Sequence, residues 1–319
     1  MTYMFNLEDI ANPLQTILPI ILMTASGYAL GKITFYIIKM QTTFLREFIY
    51  GNIILNFIFV SGFVIFGVIT NLSNLYFTSF TVFLIILFLV TCFIILKKVL
   101  RIRTKELNKY FLKSSWVNML NDSHSVLMLL GVFMFMLLIA YHSIIINFHS
   151  IFGGELDSIY LFLPISKSIL LGNGLNHDYY LGSDANIKHA PFSQVLNSWL
   201  LQSFSYSSVK IFPIYFLFFG SLLIYYIAKS ITRNKILGLV SVSIYLITPA
   251  LMISSSTYSL SQDFTFMFFL AAMFYLLVEV VRYTSIERIN LLLLSISIAI
   301  LPLIKDIGLL ISIFIIFLL

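Results

Sequence analysis

The sequence predicts an all-α fold: a polytopic transmembrane helix bundle of about nine spans, with amphipathic interfacial helices in one large non-cytoplasmic loop. Three observations lead there. Sixty per cent of the 319 residues are hydrophobic and only 10% are charged, too few polar groups to cover the surface of a soluble domain. The mean hydropathy is +1.01, and the apolar residues fall into runs long enough to cross about 30 Å of hydrocarbon. The basic residues, finally, collect in alternate loops, as the positive-inside rule requires.

The candidate spans, in order, are Pro13 to Ile38, Phe48 to Ile69, Phe77 to Leu96, Ser125 to Asn147, Ile211 to Ala228, Ile236 to Ile253, Phe264 to Val281, Ile289 to Ile304 and Ile307 to Leu319. The first twelve residues carry Glu8 and Asp9 but no lysine or arginine, so they lack the basic start of a cleavable signal peptide, and the first span is expected to be retained. Within it, Gly27 and Gly31 form a GxxxG pair that permits close helix contact. Plain helix packing, rather than a special dimerisation role, is the reading expected of that pair.

Fourteen of the nineteen basic residues fall in loops on one side, among them Lys97, Lys98, Arg101, Arg103, Lys229, Arg233, Arg282 and Arg288. That side is read as cytoplasmic. The opposite side receives eight of the thirteen acids, including Glu155, Asp157, Asp178, Asp184, Asp263 and Asp306. The net charge of +6 is thus explained by topology, and no nucleic-acid partner is expected. Cys92 is the single cysteine, which excludes an internal disulfide and a thiolate-pair metal site. Three segments follow: a three-span N-terminal accessory module (1–100), a basic cytoplasmic linker (101–123) and a membrane module (124–319).

Between Phe148 and Lys210 lies the one long stretch without a span, too polar in its second half to be buried in lipid. Ser158 to Leu171 reads as an interfacial helix ended by Gly172-Asn173-Gly174, and Ser193 to Phe204 as a second amphipathic helix returning toward the membrane. Glu155 and Asp157 precede the first of these. On a helix they would diverge by about 200°, so they share a direction only in extended chain. Asp157 before an apolar helical run also reads as a simple N-cap. Asp263 opens the seventh span from the same side, as a second acid or as another cap. Lys305 and Asp306 interrupt an apolar run from Asn290 to Leu319. Charges held at membrane depth are costly unless paired or used. They read either as a local ion pair at a turn, or as Lys305 facing the acids and holding an anionic group such as a phosphate. His189 has no metal-ligand spacing with His149 or His177.

The segment Gly153-Gly154-Glu155-Leu156-Asp157-Ser158-Ile159-Tyr160 through Pro164 to Ile169 resembles the first-loop motif of the GT-C superfamily of membrane glycosyltransferases. These include protein mannosyltransferases and aminoarabinose transferases, which use polyprenyl- or dolichyl-phosphate sugars. Lys188-His189-Ala190-Pro191-Phe192 is similar to the family's loop segment before its next amphipathic helix. Ser261-Gln262-Asp263-Phe264 resembles its acid opening a Phe-rich span, and Leu303-Ile304-Lys305-Asp306-Ile307-Gly308-Leu309 its lysine–acid–glycine turn. The resemblance runs from about Ser125 to Leu319. It implies transfer of a sugar from a polyprenyl-phosphate donor to a hydroxyl of a glycan, protein or lipid acceptor, at the non-cytoplasmic face of the cell membrane, where the Glu155 to Lys210 loop lies.

By that resemblance Asp157 would be the base or acceptor-orienting group, with Glu155 and Asp263 completing the acidic site. Lys305 would stabilise the departing lipid phosphate, with Asp306, Tyr160, Lys188 and His189 binding substrate, and acceptors would reach the site through the 172–190 loop. The resemblance leaves metal dependence open; a divalent cation, magnesium or manganese, would sit on Asp157 and Glu155. Such enzymes begin near the fourth span and continue past the equivalent of Leu319, so an added N-terminal module and a missing C-terminal part are expected. A transporter or flippase of a lipid-linked or anionic substrate, which should carry polar groups at mid-membrane in paired broken helices, and a non-catalytic membrane scaffold are the alternatives from other classes.

Overall fold

A computed structural model describes residues 13–38, 44–63, 65, 72–104, 163–170, 192–204, 208–209, 212–247, 263–282, 288–305 and 307–318. Among the described residues the regular structure is helical: α1 (Pro13–Ile37), α2 (Phe44–Gly62), α3 (Ser73–Thr104), α4 (Leu163–Leu170), α5 (Phe192–Ser203), α6 (Pro213–Thr232), α7 (Lys235–Ile247), α8 (Asp263–Arg282), α9 (Arg288–Ile304) and α10 (Ile307–Leu318).

Three described segments are long and apolar enough to cross a membrane: Ile17–Ile37 in α1, Ser73–Leu96 in α3 and Pro213–Thr232 in α6. The apolar stretches Lys235–Leu246, Thr265–Val281, Ile289–Ile304 and Ile307–Phe317 are shorter, and the expected fourth span, Ser125 to Asn147, lies outside the described residues. Their surface is that of a membrane protein. Ile85, Ile86, Leu89 and Phe93 of α3, and Leu310, Phe314 and Phe317 of α10, stand exposed, a density of apolar surface that water does not tolerate. The third helix also runs farther than its apolar stretch, through Lys97, Lys98, Arg101 and Arg103 to Thr104.

The first three helices are held by small residues and by hydroxyls. A side chain on Gly31 would run into the Glu47 carbonyl, and one on Gly51 into the Gly27 carbonyl. The GxxxG pair of α1 is therefore spent on backbone contact with α2 inside the chain. Ser26 donates to the Leu84 carbonyl at 2.9 Å and Thr91 to the Ala25 carbonyl at 2.7 Å, stitching α1 to α3. Such interhelical bonds supply part of the association energy where lipid removes the hydrophobic drive between helices.

The second helix carries two buried asparagines, Asn52 and Asn56, both fully inaccessible. They are committed to α6: the Tyr215 hydroxyl donates to Asn52 Oδ1 at 2.7 Å and accepts from Asn56 Nδ2 at 3.1 Å. Around Phe59 an aromatic cluster joins α2, α3 and α5, with ring centroids 4.8 Å from Phe80 and 5.6 Å from Trp199. The Trp199 indole N–H donates to Thr81 Oγ1 at 2.9 Å, so its polar atom is satisfied, as a buried indole requires.

Two turns are defined in detail. Pro213 sits in the first turn of α6, where a missing N–H costs nothing. The helix ends on Arg233 in the left-handed region, φ 56°. Asn234 then caps α7, its Oδ1 accepting from the Ile236 amide at 2.8 Å. Between α9 and α10 the reversal is tighter. Pro302, in the last turn of α9, removes the amide that would bond the Ile298 carbonyl four residues back. That carbonyl is taken instead by the Ser312 hydroxyl of α10 at 2.8 Å. Gly308 lies against the Leu301 carbonyl, where a side chain would not fit.

Candidate functional site

The site expected from the sequence is only partly covered by the described residues. Glu155, Asp157, Tyr160, Lys188, His189 and Asp306 lie outside them. Asp263 is described as the first residue of α8, and Lys305 as the residue between α9 and α10.

Helix α4 continues the chain from the Glu155–Asp157 segment, and its seating can be derived from its last carbonyls, which a helix leaves without internal donors. Two of them are taken by neighbours, Ile169 by the Ser73 hydroxyl at 3.4 Å and Leu170 by Asn74 Nδ2 at 3.1 Å, and one turn earlier the Ser166 carbonyl also accepts from the Ser198 hydroxyl at 2.9 Å. Thus α4 is docked on the first turn of α3 and on the middle of α5. Lys167, between these bonded residues, is half-buried, and burial lowers its ammonium from the ordinary lysine value.

Helix α5 departs from expectation in an instructive way. The alternation of polar and apolar residues predicts a helix with one wet face. In the structure Phe192 and every residue from Gln194 to Leu200 are buried, because the polar face meets α4 and α3 and finds its hydrogen bonds there, through Ser198 to Ser166 and Gln202 to Asn74. Its leading Phe192 lies between Phe59 of α2 and Phe269 of α8, at 6.3 and 5.8 Å between ring centroids. Among the described residues the buried amide nitrogen of Asn197 has no hydrogen-bond partner, a polar group that sequence reading passed over.

Helices α8 and α9 pack together, joined by the short segment 283–287. Their junction end is fixed by Glu279 and Asn290, both in contact with Arg46. Sixteen residues of α8 separate Asp263 from Glu279, and fifteen separate Asn290 from Lys305. At 1.5 Å per residue these are about 24 and about 22 Å, so the antiparallel pair carries Asp263 and Lys305 at the same end. Lys305 is held by its backbone, its amide donating to Leu301 at 3.2 Å and its carbonyl accepting from Gly308 at 2.8 Å, and its side chain is neither fully buried nor fully exposed. Among the described residues no group of three or more His, Cys, Asp or Glu comes together in a way that could hold a metal.

No curated protein and no solved structure matches the chain. A family model does: residues 185–319 match that of the dolichyl-phosphate-mannose-protein mannosyltransferases. The matched segment contains Lys188, His189, Asp263, Lys305 and Asp306, whereas Glu155, Asp157 and Tyr160 precede it. The resemblance drawn from the sequence and the family match agree: residues 185–319 are similar to a family of membrane glycosyltransferases of the GT-C type.

Proposed function

We propose that this chain transfers mannose from a dolichyl- or other polyprenyl-phosphate donor to a hydroxyl of a protein acceptor, on the non-cytoplasmic side of the membrane. The observation that carries the proposal is the family match over residues 185–319. The common end shared by Asp263 and Lys305 on the α8–α9 pair is consistent with it, as is the distribution of basic residues that puts that end opposite the cytoplasm.

In this reading the acceptor oxygen attacks the anomeric carbon as the bond from that carbon to the donor phosphate oxygen breaks, and configuration inverts. Asp157 takes the acceptor proton. Negative charge grows on the departing phosphate, where the Lys305 ammonium offsets it. A fixed cation counts for more at a site with little water than in bulk solvent. Glu155 and Asp263 complete the acidic side, and Tyr160, Lys188, His189 and Asp306 contact the substrates. Glu155 and Asp157 are the pair that would hold a divalent cation, whose chemistry there would be charge balance at the donor phosphate.

The test is donor class. Membranes containing the chain are supplied either with labelled mannosyl polyprenyl phosphate or with labelled nucleotide-mannose after the lipid carriers have been extracted, and label in protein is counted. Incorporation from the lipid donor alone is expected. Incorporation from the nucleotide sugar without lipid, or none from either, would contradict the proposal.

A further inference from the structure

The α8–α9 pair carries its two candidate residues at one end, and at the other end the Arg46 side chain, from outside the pair, touches both helices. Arg46 of α2 brings Nη2 to 4.0 Å from Glu279 Oε2 on α8 and donates to Asn290 Oδ1 on α9 at 3.3 Å. One turn further along α2, the Tyr50 hydroxyl donates to the same Asn290 oxygen at 2.6 Å. The guanidinium lies over the rings of Tyr50 and Phe35, 5.2 and 5.8 Å from their centroids. Asn290 and Glu279 are 1% and 8% exposed.

This arrangement asks for arginine in particular. A planar fork presents several N–H groups in fixed directions and stacks on aromatic faces, which an ammonium does not. Removing it takes the guanidinium charge away from a buried carboxylate, and the local packing must adjust to that change. Because α8 and α9 are stiff and pack against each other, their arrangement at the Arg46 end bears on their angle and hence on the spacing at the other end.

We propose that Arg46 is a positioning residue: by holding Glu279 and Asn290 in one arrangement it sets the separation of the far ends of α8 and α9, where Asp263 and Lys305 lie. The link to catalysis rests on the transferase reading, while the link to helix spacing rests on the geometry alone. A misplacement of about 1 Å between reacting groups is enough to lower a rate by about a hundredfold.

The experiment reads both links on the full chain in lipid nanodiscs. In a Cys92→Ser background, spin labels at Met267 of α8 and Leu303 of α9 report the spacing by electron paramagnetic resonance, and kcat and KM for the lipid donor are measured in parallel without labels. Arg46→Ala is expected to broaden the distance distribution and to lower kcat at least tenfold while KM stays within about threefold. Arg46→Lys, which keeps the charge but loses the fork, should recover part of both. If Arg46→Ala does not fold, Glu279→Gln, which removes the charge and keeps the shape, carries the same expectation.

An unchanged distance distribution in folded Arg46→Ala or Glu279→Gln overturns the proposal, as does a broadened one with kcat unchanged. Broadening in Arg46→Ala together with no transfer by the unsubstituted chain supports the spacing claim and overturns the transferase reading instead.

Discussion

Removing the Ser312 hydroxyl tests how Lys305 is held. Pro302 leaves the Ile298 carbonyl without its helical donor, and Ser312, 5% exposed, supplies the replacement at 2.8 Å. Ser312→Ala therefore strands a carbonyl in an apolar interior, which costs about 1–3 kcal/mol when a buried partner is lost. Measured values for such bonds inside membranes run lower, about 0.6 kcal/mol on average, so about 1–2 kcal/mol is expected here. Pro302→Ala changes that expectation, because alanine returns an amide four residues from Ile298 and makes the serine redundant. In the Pro302→Ala background the cost of Ser312→Ala should fall below about 0.5 kcal/mol, giving a coupling of about 1 kcal/mol in the double-mutant cycle. Denaturant unfolding of the purified chain in detergent, followed by tryptophan fluorescence, gives the four stabilities. Equal costs for Ser312→Ala in both backgrounds would refute the reasoning.

Other substitutions test the packing. Gly51→Ala would gain up to about 1 kcal/mol from helix propensity at an exposed site; because its Cβ would meet the Gly27 carbonyl, a loss of about 2 kcal/mol or more in unfolding free energy is expected, and a gain would mean α1 and α2 do not touch there. Tyr215→Phe removes a donor to Asn52 and an acceptor for Asn56, at a cost of about 1–3 kcal/mol by the same unfolding assay. Trp199→Ala empties the centre of the aromatic cluster and should cost about 3–5 kcal/mol; a change under about 1 kcal/mol would show that Phe59 and Phe80 do not depend on it.

Much of the fold can be read from the sequence because lipid imposes a simple rule on it. A segment in hydrocarbon must satisfy its own backbone, so apolar length alone locates α1, α6, α8, α9 and α10 to within a few residues of their ends. What apolar length does not show is where polar residues find partners. Asn52 and Asn56 look like interruptions of a span until Tyr215, some 160 residues away, is found to bind both. The polar face of α5 reads as wet for the same reason, since nothing local reveals that Ser166 and Asn74 will meet it. Pro302 is legible as a turn signal, but its compensation by Ser312 is not, because the proline only says which carbonyl is freed. Of the candidate site, Lys305 and Asp263 are legible as charges beside apolar runs, and the antiparallel α8–α9 pair adds the shared end. The orienting contact of Arg46 with both helices lies outside any local motif, although a basic residue with a buried acid in a distant span is the signal that points to it.

The most direct measurement of the central claim is single-turnover transfer of labelled mannose from mannosyl polyprenyl phosphate, comparing the unsubstituted chain with Asp157→Asn and with Lys305→Ala in the same membranes. The account predicts a rate loss of at least about a hundredfold for Asp157→Asn, from loss of the base, and a similar loss for Lys305→Ala, from loss of charge stabilisation at the phosphate, with all three chains equally abundant and folded. Transfer that continues at the unsubstituted rate in either variant would contradict it.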